Sequence, residues 1–232
     1  MRLGATLARL APGPPIAVAE WAKRLVGEGF ESLWTPQIIG RGFFVPDPFV
    51  TLAVAATATS HVEIGTATIQ VPLHHPADLA HRIRSLRSVC GDRLTVGVSP
   101  GSTDLDYAAL GRDYGGRFRT FDENLPRLRE LLPGGPPLLL GSWGAKVERA
   151  AREFDGWLAS AYRRTPDQIL AAHERFRAAG GRRAIVCAVP VPADLGRAGE
   201  VLHRYAEAGF DDAVVLLTPG GPDPAAVRAL LP

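Results

Sequence analysis

Val62-Glu63-Ile64-Gly65-Thr66-Ala67-Thr68-Ile69 is an almost unbroken run of apolar and small residues, and Gln70-Val71-Pro72-Leu73-His74 leads from it to His75-Pro76. Such a run fits a strand covered on both faces, as in a parallel sheet between a packed interior and a layer of helices. Proline is pre-organised for the first helical position, so His75-Pro76 reads as a helix entrance. Leu79, Ile83 and Leu86 continue from it as an apolar stripe at helical spacing. The stretch is a strand followed by a helix that packs back onto it.

The same unit recurs along all 232 residues. Apolar runs at Leu3 to Ala8, Ser32 to Thr35, Val62 to Ile69, Leu94 to Ser99, Pro137 to Gly141, Gly156 to Ser160, Ala184 to Val189 and Ala213 to Thr218 alternate with longer amphipathic segments. Eight strand-helix pairs predict the α/β class and a compact (β/α)8 TIM barrel, with residues 1–232 as a single domain. Asp47-Pro48, Thr165-Pro166 and Asp223-Pro224 each set an N-cap side chain before a proline, and Thr165 with Gln168 has capping-box spacing. Glu28-Gly29-Phe30-Glu31 is echoed by Ala208-Gly209-Phe210-Asp211, a glycine helix stop with a phenylalanine to tuck under the barrel. Thr120 and Glu123 offer another capping box, but Pro126 follows closely, which predicts a late start or a kink in that helix. Leu132 to Pro137 joins the fourth helix and fifth strand almost directly.

Composition narrows the function. Hydrophobic residues make up 46% and charged residues 22%, ordinary globular usage. The formal charge is +2 with scattered basic residues, which is no footprint for nucleic acid or an anionic membrane. The N-terminus lacks a sustained apolar h-region, and no stretch approaches the roughly 20 apolar residues of a membrane span. Cys90 and Cys187 read as buried free thiols, so a cytoplasmic protein is expected. His61, His81, His173 and His203 lack a matching acidic or cysteine cluster, and no metal site is expected.

Barrel chemistry sits at the carboxyl ends of the strands. The residues there are Trp34-Thr35-Pro36-Gln37, Gly65-Thr66-Ala67-Thr68, Gly97-Val98-Ser99-Pro100-Gly101-Ser102-Thr103, Gly141-Ser142-Trp143-Gly144 and Asp155-Gly156-Trp157. In order and spacing, from about Gly29 to Trp157, they resemble the bacterial luciferase-like monooxygenase family of flavin- and deazaflavin-dependent oxidoreductases. Val62 to Thr68 followed by His75-Pro76 is the most specific part of the match.

The resemblance implies FMN or the deazaflavin coenzyme F420 as cofactor. It implies a bulge ending the third strand at Thr66, Ala67 and Thr68, with a cis Ala67–Thr68 peptide against the central ring. An ordinary strand with small residues is the bland alternative. Gly141, Ser142, Trp143 and Gly144 open a helix at its amino end, where free N–H groups favour an anion, and by resemblance hold the cofactor phosphate. Thr218-Pro219-Gly220-Gly221 offers a second such turn. Ser99, Gly101 and Ser102 would line the cofactor's polar tail. Gln37 stands where many relatives carry histidine; glutamine orients or polarises but shuttles no proton. His74 and His75 are the substitutes, with a cap or packed ring as their structural reading, and Tyr107, Tyr114 and Arg117 are candidates for the pocket wall. The function implied is oxidation or reduction of a small organic substrate by hydride transfer or oxygen insertion; the alternative is a non-catalytic cofactor-binding barrel. A homodimer and a reductant-supplying enzyme are the implied partners. Many relatives insert a long covering segment where Leu132 to Pro137 is short, so an open pocket is expected.

Overall fold

The computed structural model describes residues 1–231. Eight parallel strands close into a barrel in sequence order: β1 Arg2–Thr6, β2 Ser32–Thr35, β3 Glu63–Gln70, β4 Leu94–Ser99, β5 Leu138–Gly141, β6 Gly156–Ser160, β7 Arg183–Pro190 and β8 Asp212–Leu216. β8 pairs with β1 from Arg2–Asp212 to Ala5–Val215, which completes the ring. The helices are α1 Val18–Gly27, α2 Pro48–Ala58, α3 Pro76–Cys90, α4 Asp104–Ala108, α5 Arg117–Glu130, α6 Lys146–Glu153, α7 Pro166–Ala178, α8 Leu195–Glu207 and α9 Pro224–Arg228. The short α4 is an addition within the connection after β4; each of the other helices follows one strand.

The caps act as the sequence predicts. Asp47 accepts from the N–H groups of Phe49 and Val50, Asp223 accepts from Ala225, and Thr165 with Gln168 forms a complete capping box. His75 caps α3, its Nδ1 accepting from Ala77 N–H at 3.3 Å. The echoed stops are alike in detail. Gly29 and Gly209 have φ of 89° and 86°, and the following N–H groups of Phe30 and Phe210 reach back to the carbonyls of Leu25 and Tyr205. Both phenylalanines are buried.

The expected late start near Pro126 is corrected: α5 begins at Arg117 with Gly116 as its N-cap and runs through Pro126. Thr120 N–H bonds to the Gly116 carbonyl inside the first turn, so Thr120 does not cap. Pro126 and Asp122 both lie on the exposed side, where water can hydrate the Asp122 carbonyl that proline leaves without a donor.

Two apolar layers fix the barrel. The larger lies between strands and helices; the smaller fills the interior with Trp34, Leu139, Leu158, Ile185, Cys187 and Val214. Gly65 pairs directly with Trp34, and a Cβ on it would sit 2.3 Å from the indole ring. The amino ends of the strands carry an ion cluster. Arg183 bonds both Glu63 (2.9 and 2.8 Å) and Asp212 (3.0 and 2.9 Å), and Arg2 reaches the same two carboxylates at 2.8 and 2.6 Å. Burial alone would raise the Glu63 pKa, but the bonds and charge of Arg183, with Thr95 and Arg2, hold it below its ordinary value. The floor is thereby closed, leaving the carboxyl ends of the strands as the open face.

Candidate active site

A cavity of about 400 Å³ lies at those carboxyl ends. Its wall draws on the ends of β1 to β8 and the loops after them, which is why its residues are scattered in sequence and adjacent in space.

On one side β3 is bulged: register passes from Thr66–Val96 to Ile69–Val98, so Ala67 and Thr68 share one partner position on β4. The Ala67–Thr68 peptide is cis, and both residues line the cavity. Thr66 does not; its hydroxyl donates to the Gly97 carbonyl at 2.9 Å inside the wall. The Thr68 and Ser99 hydroxyls are 2.7 Å apart. Two hydroxyls share one hydrogen in such a bond, so one O–H remains to donate to a ligand. Gly141 closes this corner, where a Cβ would lie 2.7 Å from Thr68 Cγ2. Gly101, Ser102, Ser142 and Trp143 also line the cavity, whereas Gly144, at φ 64°, stays outside it and lets the turn into α6 form.

Among the described residues the backbone N–H groups of Trp143, Gly144 and Ala145, at the amino end of α6, have no partner. Three side-chain cations join them in the wall: Arg117 after β4, Lys146 after β5 and Arg164 after β6. Each rests on an aromatic ring: Arg117 on Tyr114 and Phe118, Lys146 on Phe118, and Arg164 on Trp143, at 3.8 to 4.9 Å. Among the described residues none of the three has a carboxylate within salt-bridge distance, and the cavity wall contains no aspartate or glutamate. A net charge of only +2 is thus unevenly spread, with unpaired positive charge at the mouth. The alternative turn at Thr218 to Gly221 is not part of the cavity, and Asp155-Gly156-Trp157, expected at a carboxyl end, instead opens β6 at its amino end, outside the cavity.

Gln37 lines the cavity, but its amide is already engaged. Gln70 N–H donates to Gln37 Oε1 at 2.9 Å, which fixes the amide's orientation and turns Nε2 toward His74 Nε2 at 2.8 Å. That imidazole nitrogen must accept, so His74 carries its proton on Nδ1. Burial, with Arg82 adding to it, pushes the His74 pKa down to about 4. His74 is a neutral support behind Gln37, and Gln37 positions the wall.

Sequence reading missed what holds this side together. Asp106 on α4 is fully buried and accepts from Ile39 and Gly40 N–H, from Arg41 through two nitrogens, and from Gln70 Nε2. Burial alone would raise its pKa, yet the donors of Arg41, Gln70 and Ile39 keep it below the ordinary value. The clamp ties the loops after β2, β3 and β4. Because Gln70 Nε2 faces two acceptors, Asp106 and the Gln37 carbonyl, its Oε1 is turned away and stays buried without a partner. Thr35 Oγ1 is orphaned in the same way, and both residues line the cavity. Tyr114 and Arg117 line it as expected; Tyr107 is buried behind it, its hydroxyl donating to Pro100. Among the described residues no cluster of histidine, cysteine, aspartate and glutamate is arranged to hold a metal ion.

Fold and cavity define an α/β barrel with a cavity at the carboxyl ends of its strands and unpaired cations on one side of it. Residues 4–194 match the sequence model of the luciferase-like monooxygenases, and the chain belongs to that family. It is 32% identical over 124 residues to 4-hydroxyprotoasukamycin monooxygenase of Streptomyces nodosus subsp. asukaensis, covering 53% of this chain and 33% of that protein. It is 28% identical over 109 residues to the oxygenase component of a flavin-dependent trigonelline monooxygenase of Acinetobacter baylyi, covering 46% and 30%. The chain therefore matches about a third of the length of these curated relatives. The coenzyme F420-dependent tetrahydromethanopterin reductase of Methanopyrus kandleri has the same fold, with a TM-score of 0.74 at 16% identity over 99% of this chain and 97% of that one.

Proposed function

We propose that the chain is an oxidoreductase that binds FMN or coenzyme F420 and acts on a small organic substrate by hydride transfer or oxygen insertion. The observation that carries this reading is the unpaired cation arc of Arg117, Lys146 and Arg164, with the free N–H groups at the start of α6, beside a bulged strand of small residues. Both cofactors join a planar ring to an anionic arm, and the site residues fit each part. The arc and the α6 terminus suit the arm; Ala67, Thr68 and Gly141 suit a flat ring; the Thr68–Ser99 hydroxyl pair suits its polar edge.

When bound, such a cofactor supplies hydride transfer, or oxygen activation in the case of the flavin. The chain's own residues bind, orient and shield. Lys146 and Arg164 hold the arm, the Thr68–Ser99 pair offers one hydrogen to the ring, and the clamp through Asp106 keeps Gln37 in place. Among the described residues the wall contains no histidine, aspartate or glutamate; its proton-bearing side chains are hydroxyls, the Cys187 thiol and the cations. The short connection at residues 131–137 enters β5 at its amino end, on the floor side and outside the cavity, so the expectation that it leaves the mouth open is corrected. The names of the two curated relatives speak for oxygen insertion.

A homodimer and a separate reductant-supplying enzyme complete the proposal. For the dimer, α2 has no charged residue, and Val50, Val54 and the nearby Phe44 are 62%, 38% and 83% exposed; a helix apolar all round is normally covered. For the compartment, Cys90 and Cys187 are unbridged and buried, which supports a cytoplasmic setting. Among the described residues no helix is long and apolar enough to cross a membrane.

The test is reoxidation of reduced FMN and reduced coenzyme F420 on the protein, followed spectrally with and without a panel of aldehydes, ketones and unsaturated acceptors, in air and without it. Acceleration by an acceptor is the expected result. Tight cofactor binding without acceleration by any acceptor would establish the non-catalytic barrel instead.

A further inference from the structure

β3 is not the only irregular strand in the cavity wall. On β7 the register passes from Val186–Ala213 to Val189–Val215, so Cys187 and Ala188 stand opposite the single residue Val214. This is a second one-residue bulge. β3 and β7 are four places apart in a closed ring of eight strands, so the two bulges face each other across the barrel axis. Ala67, Thr68, Cys187 and Ala188 all line the cavity. Ala188 is held at φ 55°, where glycine would meet no steric objection. An alanine there keeps a methyl group in the wall.

Charge divides the same cavity. Its unpaired cations come from the loops after β4, β5 and β6, whereas the side formed by β7, β8 and β1 offers Ala188, Leu216, Thr6 and Leu10. Among the described residues that side has no charged group in the wall. A charged ligand lying there would be desolvated with no partner, and an uncharged one would lose little.

We propose that the β7 bulge is the substrate wall, that the substrate is uncharged and largely apolar, and that Ala188 sets its size. This rests on the reading that a cofactor ring occupies the β3 side. The substrate is then left the opposite face.

The test uses two near-isosteric probes, cyclohexyl methyl ketone and cyclohexanecarboxylate, titrated by ligand-observed NMR into the protein both with and without FMN or coenzyme F420. The ketone is expected to bind at least tenfold more tightly than the carboxylate. Ala188→Leu should weaken the ketone at least tenfold while cofactor affinity stays within twofold, and Ala188→Gly should retain the ketone. Leu216→Lys, which adds a cation to the apolar side, should reverse the preference between the probes and decides the matter if Ala188→Leu does not fold. Equal or tighter carboxylate binding to the unmodified protein overturns the proposal, as does an unchanged ketone affinity in folded Ala188→Leu. Failure of both cofactors to bind contradicts the cofactor reading alone, since the titrations without cofactor still judge the wall.

Discussion

Lys146 and Arg164 carry charge that no acidic group among the described residues neutralises, and each lies against an aromatic ring that fixes its direction. Replacing either with alanine should weaken FMN or coenzyme F420 binding about tenfold, roughly 1.4 kcal/mol for one charge-assisted contact. The salt dependence of binding should flatten while thermal stability stays the same, because neither residue belongs to an ion pair; titrations at two ionic strengths check both points. The buried histidines make a second prediction. Burial, with Arg177 adding to it, pushes His173 down to about 4, and Arg177 Nε donates to its Nε2 at 3.1 Å. His74 is lowered to about 4 likewise. A histidine whose folded pKa lies below its unfolded one takes up its proton more readily when unfolded. Its contribution is therefore full above pH 6.5 and is lost as pH falls toward 4. The loss should reach at most about 3 kcal/mol for His173 and less for partly exposed His74, measurable as a falling denaturant midpoint across that window. Ser99 and Ser142 were legible in sequence because they stand at or just beyond the end of an apolar run, and Ala67 and Thr68 through the resemblance to the family. Lys146 and Arg164 stand in equivalent places, and counting basic residues after strands five and six would have exposed them. Asp106, Arg41 and Gln70 gave no such signal: their partners are 36 and 65 positions away.

At the level of elements, the strand ends divide the work. Arg183, Asp212 and Arg2 begin the strands on which they lie, and their cluster with Glu63 closes the floor far from the cavity. Arg183→Met should destabilise the fold by about 3 kcal/mol, since it leaves two buried carboxylates facing Arg2 alone. Cofactor affinity should be unchanged, and urea unfolding beside a cofactor titration reads both. Strands and caps were legible because they rest on local chemistry: a run apolar on both faces, an acceptor side chain before a proline, a glycine at positive φ. The start of α5 was not, because Thr120 and Glu123 have capping-box spacing wherever they fall and Phe121, Leu125 and Leu128 anchor the helix from the inside. The β7 bulge was equally hidden. Cys187 and Ala188 suit any buried strand, and only pairing with β8 shows that one residue is in excess.

For the whole molecule, the barrel supplies a rigid ring whose floor is locked by charge and whose mouth collects opposite chemistries on opposite sides. The apolar outer face of α2 extends this to assembly. On the proposed homodimer, Val50→Glu should leave a monomer in sedimentation equilibrium without changing helix content, because Val50 lies mostly in solvent within one chain; an unmodified protein that is already monomeric contradicts the proposed dimer. The overall architecture was readable from the strand-helix rhythm, which spans the entire sequence, while the division of the cavity into a cationic and an apolar side emerged only once the loops were brought together. The central claim is that this mouth holds a flat redox cofactor by its ring and its anionic arm. Equilibrium titration of the purified protein with FMN and with coenzyme F420, followed by cofactor absorbance and fluorescence, tests it most directly. Micromolar binding of at least one, weakened when the anionic arm is absent, as in riboflavin, is the predicted result; a folded protein that binds neither at millimolar concentration would contradict it.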